Sequence, residues 1–201
     1  MWISRGDNGG SMLIIWGSIA FLLYVLYDIN SVKWNNKVLC GGFWGGTLLL
    51  AVTTIGVVLR NKQHIGNMKG SSIVFLSIAA IFFVLLIFTL FFALPFEETY
   101  IKESNKRKAY TEGVYALCRH PGVLWFIGFY MFLGLGFKSK DILLYGIVVS
   151  IWNVLYVILQ DCYSFPLTFY NYKQYQEHTP FLIPTFKSIQ ECFSTLHRKK
   201  K

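Results

Sequence analysis

Long apolar runs separated by short polar segments dominate the pattern of this chain. Five such runs cover residues 12–27, 38–59, 72–96, 121–137 and 142–160. Runs of about 18 or more apolar residues are long enough to cross the hydrocarbon core of a bilayer as helices. The pattern therefore predicts an all-α integral membrane protein with about five transmembrane helices, the third of which ends at Pro95.

The composition supports one membrane domain over residues 1–201. Of the 201 residues, 54% are hydrophobic and only 14% are charged, a balance that soluble domains rarely show. One domain accounts for this length. We expect three spans within residues 1–96 and a functional C-terminal part over residues 110–185. The first apolar run lacks the small-residue cleavage pattern of a signal peptide, so we expect it to be retained.

The net charge of +9 reflects membrane topology rather than nucleic-acid binding, because the basic residues lie between the apolar runs. With five spans, the N-terminal head and the segments 60–70 and 138–141 share one side and hold six of the nineteen Lys and Arg residues, which leaves thirteen on the other side. The positive side is cytoplasmic. We therefore expect the N-terminus outside and the C-terminal tail in the cytoplasm.

Cysteines and glycines indicate no metal and no nucleotide site. The four cysteines lack the spacing of zinc ligands or of a disulfide framework. The second run opens with four glycines, Gly41, Gly42, Gly45 and Gly46. Small residues at that spacing let membrane helices approach closely, which favours packing. A nucleotide-binding loop is the alternative, and its position within a span counts against it.

The segment 113–125 marks the candidate site. Arg119 and His120 directly precede the apolar run that starts at Pro121, so they stand at the boundary between water and membrane. Pro121 suits the first turn of a helix, where its missing N–H has no helical acceptor. A cation and an imidazole at this position suit an anionic or zwitterionic ligand. The alternative is two residues that only snorkel or set topology.

The spacing of the last two runs brings further side chains to the same level. The segment 138–141 is too short for anything but an antiparallel hairpin. Arg119 precedes Ser139 by 20 residues and Asp161 follows it by 22, so at about 1.5 Å per residue both lie about 30 Å from the turn. We therefore expect four side chains to converge at the cytoplasmic membrane surface: Arg119, His120, Gln160 and Asp161. The alternative is a structural Arg119–Asp161 ion pair.

Two further segments are expected to lie near these four side chains: the one around Tyr115 and the tail that follows Asp161. Tyr115 shares a face with Arg119 if the helix continues upstream. After Asp161, Pro166 is expected to break the helix. Residues 167–178 then place Phe169, Tyr172 and Tyr175 at three-residue spacing, which predicts an interfacial amphipathic helix followed by an extended strap over residues 179–184. The helix serves either as an anchor on lipid or as a lid over the site.

Two motifs around the hairpin resemble a known family, the integral-membrane methyltransferases, which include isoprenylcysteine carboxyl methyltransferases and phospholipid N-methyltransferases. The match covers residues 110–185. The residues that match the family motifs are Gly113, Tyr115, Arg119, His120, Pro121, Tyr172, Tyr175, Thr179, Pro180, Ile183 and Pro184.

The resemblance implies S-adenosylmethionine as methyl donor and a lipid or lipidated acceptor, either a carboxylate or an amine. On this basis we expect His120 and Arg119 to be the catalytic residues. The cofactor-binding residues that the resemblance implies are Arg119, His120, Pro121, Gln160 and Asp161, to which we add Tyr115 and Tyr175 as expected members of the site. His120 is the candidate base if the acceptor is an amine.

The chain departs from the family at two places. The usual Glu-Glu pair is replaced by Gln160-Asp161, and the aromatic residue after Arg-His-Pro by Val123 and Leu124. Either the amino group of the cofactor is held differently, or activity is weakened or lost. Two alternatives therefore stay open: a membrane reductase that uses a nicotinamide cofactor, and a non-catalytic membrane protein that keeps the scaffold. The sequence does not specify the acceptor or the oligomeric state.

Overall fold

The apolar runs are helices in the computed structural model, which describes residues 8–63, 70–93 and 107–196. The described residues contain no β-strand, which confirms the all-α prediction. The α-helices are α1 (Asn8–Ile29), α2 (Gly42–Arg60), α3 (Gly70–Ile87), α4 (Val114–Leu117), α5 (Pro121–Phe137), α6 (Lys140–Leu159), α7 (Phe165–Thr168), α8 (Tyr172–His178) and α9 (Phe186–Leu196).

Four helical segments among the described residues are long and apolar enough to cross a membrane. They are Gly9–Trp34, Leu39–Arg60, Gly70–Phe92 and Lys140–Thr168. The fourth predicted span, residues 121–137, corresponds to α5, which is apolar but has only 17 residues. Several sequence features lie outside the described residues: the N-terminal head up to residue 7, the segment 64–69, the end of the third span at Pro95 with the polar segment to residue 106, and the basic end of the tail.

Three of the long helices continue into a single π-helical turn. These turns are Asn30–Trp34 after α1, Phe88–Phe92 after α3 and Gln160–Ser164 after α6. A π-turn adds one residue to the helical repeat, so it rotates the following side chains and frees a main-chain carbonyl for another donor. Each turn contains a buried polar residue: Asn30, Thr89 or Asp161.

Contacts divide the chain into two compact units. The first comprises Met1–Ile81 and Ile127–Tyr156. Within it, α2 packs closely on α1 because α2 carries glycines at the contact: a Cβ at Gly46 would lie 2.8 Å from the carbonyl oxygen of Ala20, and one at Gly42 would lie 3.1 Å from that of Leu23. The prediction that these glycines serve helix packing is confirmed for Gly42 and Gly46. Gly41 has no neighbour within 4 Å of such a Cβ.

The turn between α5 and α6 is as tight as the sequence predicts. Lys138 adopts a left-handed conformation (φ 51°). Its N–H donates to Leu135 O (3.2 Å), and the N–H of Ser139 donates to Gly134 O (3.1 Å), which is the Schellman arrangement. The Ser139 hydroxyl then donates to Asn61 Oδ1 at 2.7 Å. The hairpin is therefore fixed at its turn by satisfied polar groups.

The second unit comprises Phe82–Phe126 and Val157–Lys201. It corrects two predictions about the tail. Pro166 does not break the helix, which runs on through the π-turn to Thr168. The carbonyl of Asp161, for which a proline offers no N–H donor, accepts a hydrogen bond from the side chain of Gln176 instead. Residues 167–178 are also not one helix: the chain bends at Phe169, and α8 starts at Tyr172.

Candidate functional site

The predicted site residues come from three places in the second unit. Arg119 and His120 are the last two residues before α5, and Asp161 lies in the π-turn after α6. The tail adds α8 and the non-helical strap over residues 179–184, which is extended at Thr179 and bends at residues 181–183. The convergence of Arg119 and His120 on Asp161, predicted from the length of the hairpin, is confirmed by direct contacts between these side chains.

Asp161 is the centre of the cluster. Its Oδ1 accepts hydrogen bonds from Arg119 Nε (2.8 Å), Tyr172 Oη (2.6 Å) and His120 Nε2 (3.3 Å). Its Oδ2 accepts from Arg119 Nη2 (3.0 Å) and from Gln176 Nε2 (3.2 Å). The two charged side chains are only 9% and 10% exposed. A buried carboxylate in a two-bond pair with a guanidinium is a charge-assisted contact of the strong kind.

Arg119 also holds the tail in place. Its Nη1 donates to the carbonyl oxygens of Gln176 (3.0 Å) and Thr179 (2.6 Å). The main chain adds two further bonds, from Arg119 N to Pro180 O (2.9 Å) and from His120 N to the carbonyl of Phe181 (3.3 Å). The first three residues of the strap, 179–181, are therefore hydrogen-bonded to the two residues that precede α5.

The π-turn explains how Pro166 and Gln176 fit this arrangement. The N–H of Phe165 donates to Gln160 O in the wide π register. In the same register the next donor would be the nitrogen of Pro166, which has no hydrogen. Gln176 Nε2 supplies the missing donor to Asp161 O at 2.9 Å. Burial of the Asp161 carbonyl is thereby compensated, as buried main-chain groups require.

His120 is a neutral side chain held between aromatic rings. Its ring stacks on Phe165 (centroids 5.7 Å apart) and meets Phe181 edge-on (5.3 Å). Burial lowers the pKa of His120 below its ordinary value of 6.5, and the contact with Asp161 opposes this shift only in part. Since a carboxylate can only accept, Nε2 carries the hydrogen and Nδ1 the lone pair. No hydrogen bond to Nδ1 is formed by the residues that the structure describes.

Tyr115 lies apart from the charged cluster. Its hydroxyl donates to Thr89 O (3.0 Å), and its carbonyl accepts from Tyr175 Oη (2.6 Å). Tyr115 was expected to share a face with Arg119 only if the helix continued between them. That condition is not met, because α4 ends at Leu117 and the following residue, Cys118, is extended. Tyr115 and Tyr175 thus bond to each other and tie α8 to α4.

The two other predicted residues border the cluster. Pro121 is the first residue of α5 and is fully buried. Gln160 is half-buried, and its carbonyl closes the π-turn. The glutamine therefore has an established main-chain role beside Asp161.

The structure adds residues that we did not predict as part of the site. Tyr172 belongs to the tail motif, and burial together with its bond to Asp161 raises the pKa of its hydroxyl, which stays a donor. Gln176 lies one turn further on the same helix face, a spacing that could have indicated it. Thr89 accepts from Trp125 Nε1 (3.0 Å), and nothing in the sequence pattern indicates this contact.

Comparison with known proteins finds no match among family models, curated proteins or solved structures. Within residues 8–63, 70–93 and 107–196, no group of His, Cys, Asp and Glu side chains is arranged to hold a metal ion.

Proposed function

We propose that this protein is a membrane methyltransferase that uses S-adenosylmethionine to methylate a lipid or lipidated acceptor. The observation that supports this function best is the buried assembly of Arg119, His120 and Asp161 at the first residue of an apolar helix. The resemblance of the Arg-His-Pro and tail motifs to membrane methyltransferases supplies the reaction class.

The charges of the assembly fit the methionine end of this cofactor. Arg119 would bind its carboxylate and Asp161 its ammonium, so each end of the amino-acid zwitterion would have a partner of opposite charge. The sulfonium adds one positive charge that these two residues do not balance. Arg119 and Asp161 now satisfy each other, so binding requires an exchange of partners. The same π-turn also holds an unsatisfied polar group, the Ser164 hydroxyl, which is 2% exposed and has no partner among the described residues.

When bound, S-adenosylmethionine supplies an electrophilic methyl group on a sulfonium. The chain contributes positioning and exclusion of water, which matter most in a displacement of this type. An amine acceptor would take the methyl group and leave the sulfur as a neutral thioether, and its nitrogen would then have to lose one proton. His120 Nδ1 is the base for that proton, while Asp161 orients the ring through Nε2. A carboxylate acceptor needs no base.

The membrane arrangement belongs to the same proposal. We assign α5 as a membrane span, the fourth of five in chain order, although its 17 residues extend only about 25 Å and require some thinning of the bilayer. The excess of Lys and Arg on one side supports an arrangement with the N-terminus outside and the site in the cytoplasm. A lipid acceptor then reaches the site sideways from the bilayer.

A binding and transfer experiment tests this function. Purified protein in nanodiscs is titrated with radiolabelled S-adenosylmethionine and then incubated with a total lipid extract. We expect saturable binding that is lost in Arg119→Ala and Asp161→Ala. His120→Gln keeps a donor toward Asp161 but removes the Nδ1 lone pair, so it should retain binding and lose transfer to amines. Glu177→Gln, an exposed carboxylate on α8, is the matched control.

Each variant is first checked for folding by thermal unfolding. Absence of saturable binding to the unmodified protein at millimolar cofactor would rule out the proposal. Equal binding by folded Arg119→Ala would remove the site assignment. Competition by NADPH at the same concentration would favour the reductase alternative.

A non-catalytic scaffold is the second candidate, and one observation favours it. Five hydrogen bonds from protein groups already reach the Asp161 carboxylate, and all three guanidinium nitrogens of Arg119 have partners. The cluster can thus serve as a lock between the tail and the start of α5. This function predicts a folded protein that binds neither cofactor.

A further inference from the structure

The last described helix, α9, has three chemically distinct faces. Its apolar side chains are Phe186, Ile189, Phe193 and Leu196, its small ones are Ser188, Cys192 and Thr195, and its strongly polar ones are Lys187, Gln190, Glu191 and Ser194. At about 100° per residue, the mean directions of these three sets lie about 110–130° apart around the helix axis. Each set therefore forms a separate stripe.

The small face is the one that contacts the protein. Ser188 and Cys192 are buried, and Thr195 Oγ1 accepts a hydrogen bond from the N–H of Gly113 at 2.9 Å. Gly113 has φ +60°, a conformation that favours glycine, and it directly precedes α4, on which α9 packs. The helix is thereby fixed against the segment that leads to Arg119.

The apolar face is largely exposed, although Leu196 at its end lies close to Gly113. Phe186 is 77% exposed, Phe193 63% and Leu196 50%, and Ile183 in the strap just before the helix is 82% exposed. A continuous apolar stripe of this kind, next to a polar stripe, is typical of helices that lie in the plane of a membrane surface.

The position of α9 agrees with that arrangement. Only three residues separate α4 from the start of the apolar helix α5. The strap that leads into α9 is hydrogen-bonded to two of those residues, Arg119 and His120. The helix is thus held at the level where α5 begins, which is where a membrane surface lies if α5 enters the bilayer.

Charge selects the kind of lipid. The four residues that end the chain, Arg198, Lys199, Lys200 and Lys201, are all basic, and they follow α9 almost directly. Basic residues beside an interfacial helix are attracted to anionic headgroups, at about 1 kcal/mol each near the surface. We propose that α9 lies in the plane of the bilayer surface, with its apolar face in lipid, and that anionic lipids hold it there. This inference does not depend on methyl transfer.

Site-directed fluorescence on the full chain in liposomes tests the proposal. Phe193→Cys and Ile189→Cys report the apolar face, and Gln190→Cys and Ser194→Cys report the polar face. Each is made with Cys40→Ser and Cys162→Ser, since these two native cysteines are exposed, and the background without a new cysteine is the blank. An environment-sensitive label is quenched either by nitroxide-labelled lipid or by aqueous iodide, in phosphatidylcholine with and without phosphatidylglycerol.

We expect labels on the apolar face to be quenched several-fold more by lipid nitroxide than labels on the polar face, with the opposite order for iodide. Phosphatidylglycerol should widen this difference. Equal quenching of both faces would overturn the proposal, and an identical pattern in neutral lipid would overturn its anionic part. Protection of the apolar face from both quenchers would show a protein contact, either a second copy or a partner, and would also contradict it.

Discussion

Replacing Asp161 by asparagine tests whether its carboxylate holds the second unit together. The substitution keeps the shape of the side chain but removes the charge, and it turns one oxygen into an NH₂ group that faces other donors. Five hydrogen bonds reach the carboxylate, two of them from the Arg119 guanidinium. Because the side chains of this pair are 9% and 10% exposed, water can do little to solvate the guanidinium that is left behind.

Breaking a buried ion pair by removing one partner costs about 3–5 kcal/mol, mostly because the other charge stays buried and unpaired. We expect a loss in this range for Asp161→Asn. Glu177→Gln removes an exposed carboxylate and should stay within about 0.5 kcal/mol of the unmodified protein. Adding Arg119→Met to Asp161→Asn should cost less than the sum of the two single variants, since the unpaired charge is then gone.

Reversible unfolding in mixed SDS micelles, followed by circular dichroism, gives the free energies of unfolding for these variants. A loss for Asp161→Asn no larger than that of Glu177→Gln would refute the view that this buried carboxylate holds the tail. If the loss in free energy of unfolding for the double variant equals the sum of the two single losses, the two side chains do not stabilise each other despite their short distance.

Two further predictions concern titration and helix packing. Burial lowers the pKa of His120 below 6.5 in the folded protein. Below pH 6.5 the unfolded chain therefore binds a proton at this side chain that the folded protein does not bind. As a result, the free energy of unfolding should fall as the pH decreases from 6.5 to the pKa of the folded protein. His120→Gln should remove that dependence in the same unfolding assay; an unchanged pH profile would contradict it. Gly46→Ala should destabilise by about 1–3 kcal/mol, because its Cβ would meet Ala20 O at 2.8 Å. Gly41→Ala is the control with open space, and an equal loss for both would refute the close contact.

The contact between Arg119 and Asp161 could be predicted because it depends on the fixed geometry of two helices and a short turn. Two helices of known rise joined by a two-residue turn leave little freedom in height, so counting residues from Ser139 was enough. The apolar runs are equally direct evidence, since length and composition alone decide whether a helix can cross a bilayer. Four of the five predicted spans meet that criterion in the structure.

The parts that could not be predicted depend on single main-chain groups. A hydropathy pattern does not reveal the extra residue of a π-turn. In this π-turn the carbonyl of Asp161 has no helical donor, and Gln176 supplies one. The extended conformation of Cys118 separates Tyr115 from Arg119, although their four-residue spacing suggests one helix face. In α8, Tyr172 and Tyr175 are buried, so the three-residue aromatic spacing indicated contact with the protein rather than with lipid.

The same contacts that hold the tail also compete with any ligand for Arg119 and Asp161. Any zwitterion that takes Arg119 and Asp161 as partners must replace bonds that the protein already makes, including those from Arg119 to the carbonyls of Gln176 and Thr179. Its apparent affinity is reduced by the free energy of the internal pair, since only molecules with that pair open are competent to bind. A ligand that binds the folded state nevertheless stabilises it by mass action. Binding at this site would therefore be detected as added thermal stability together with movement of the strap, whereas a structural lock would give neither.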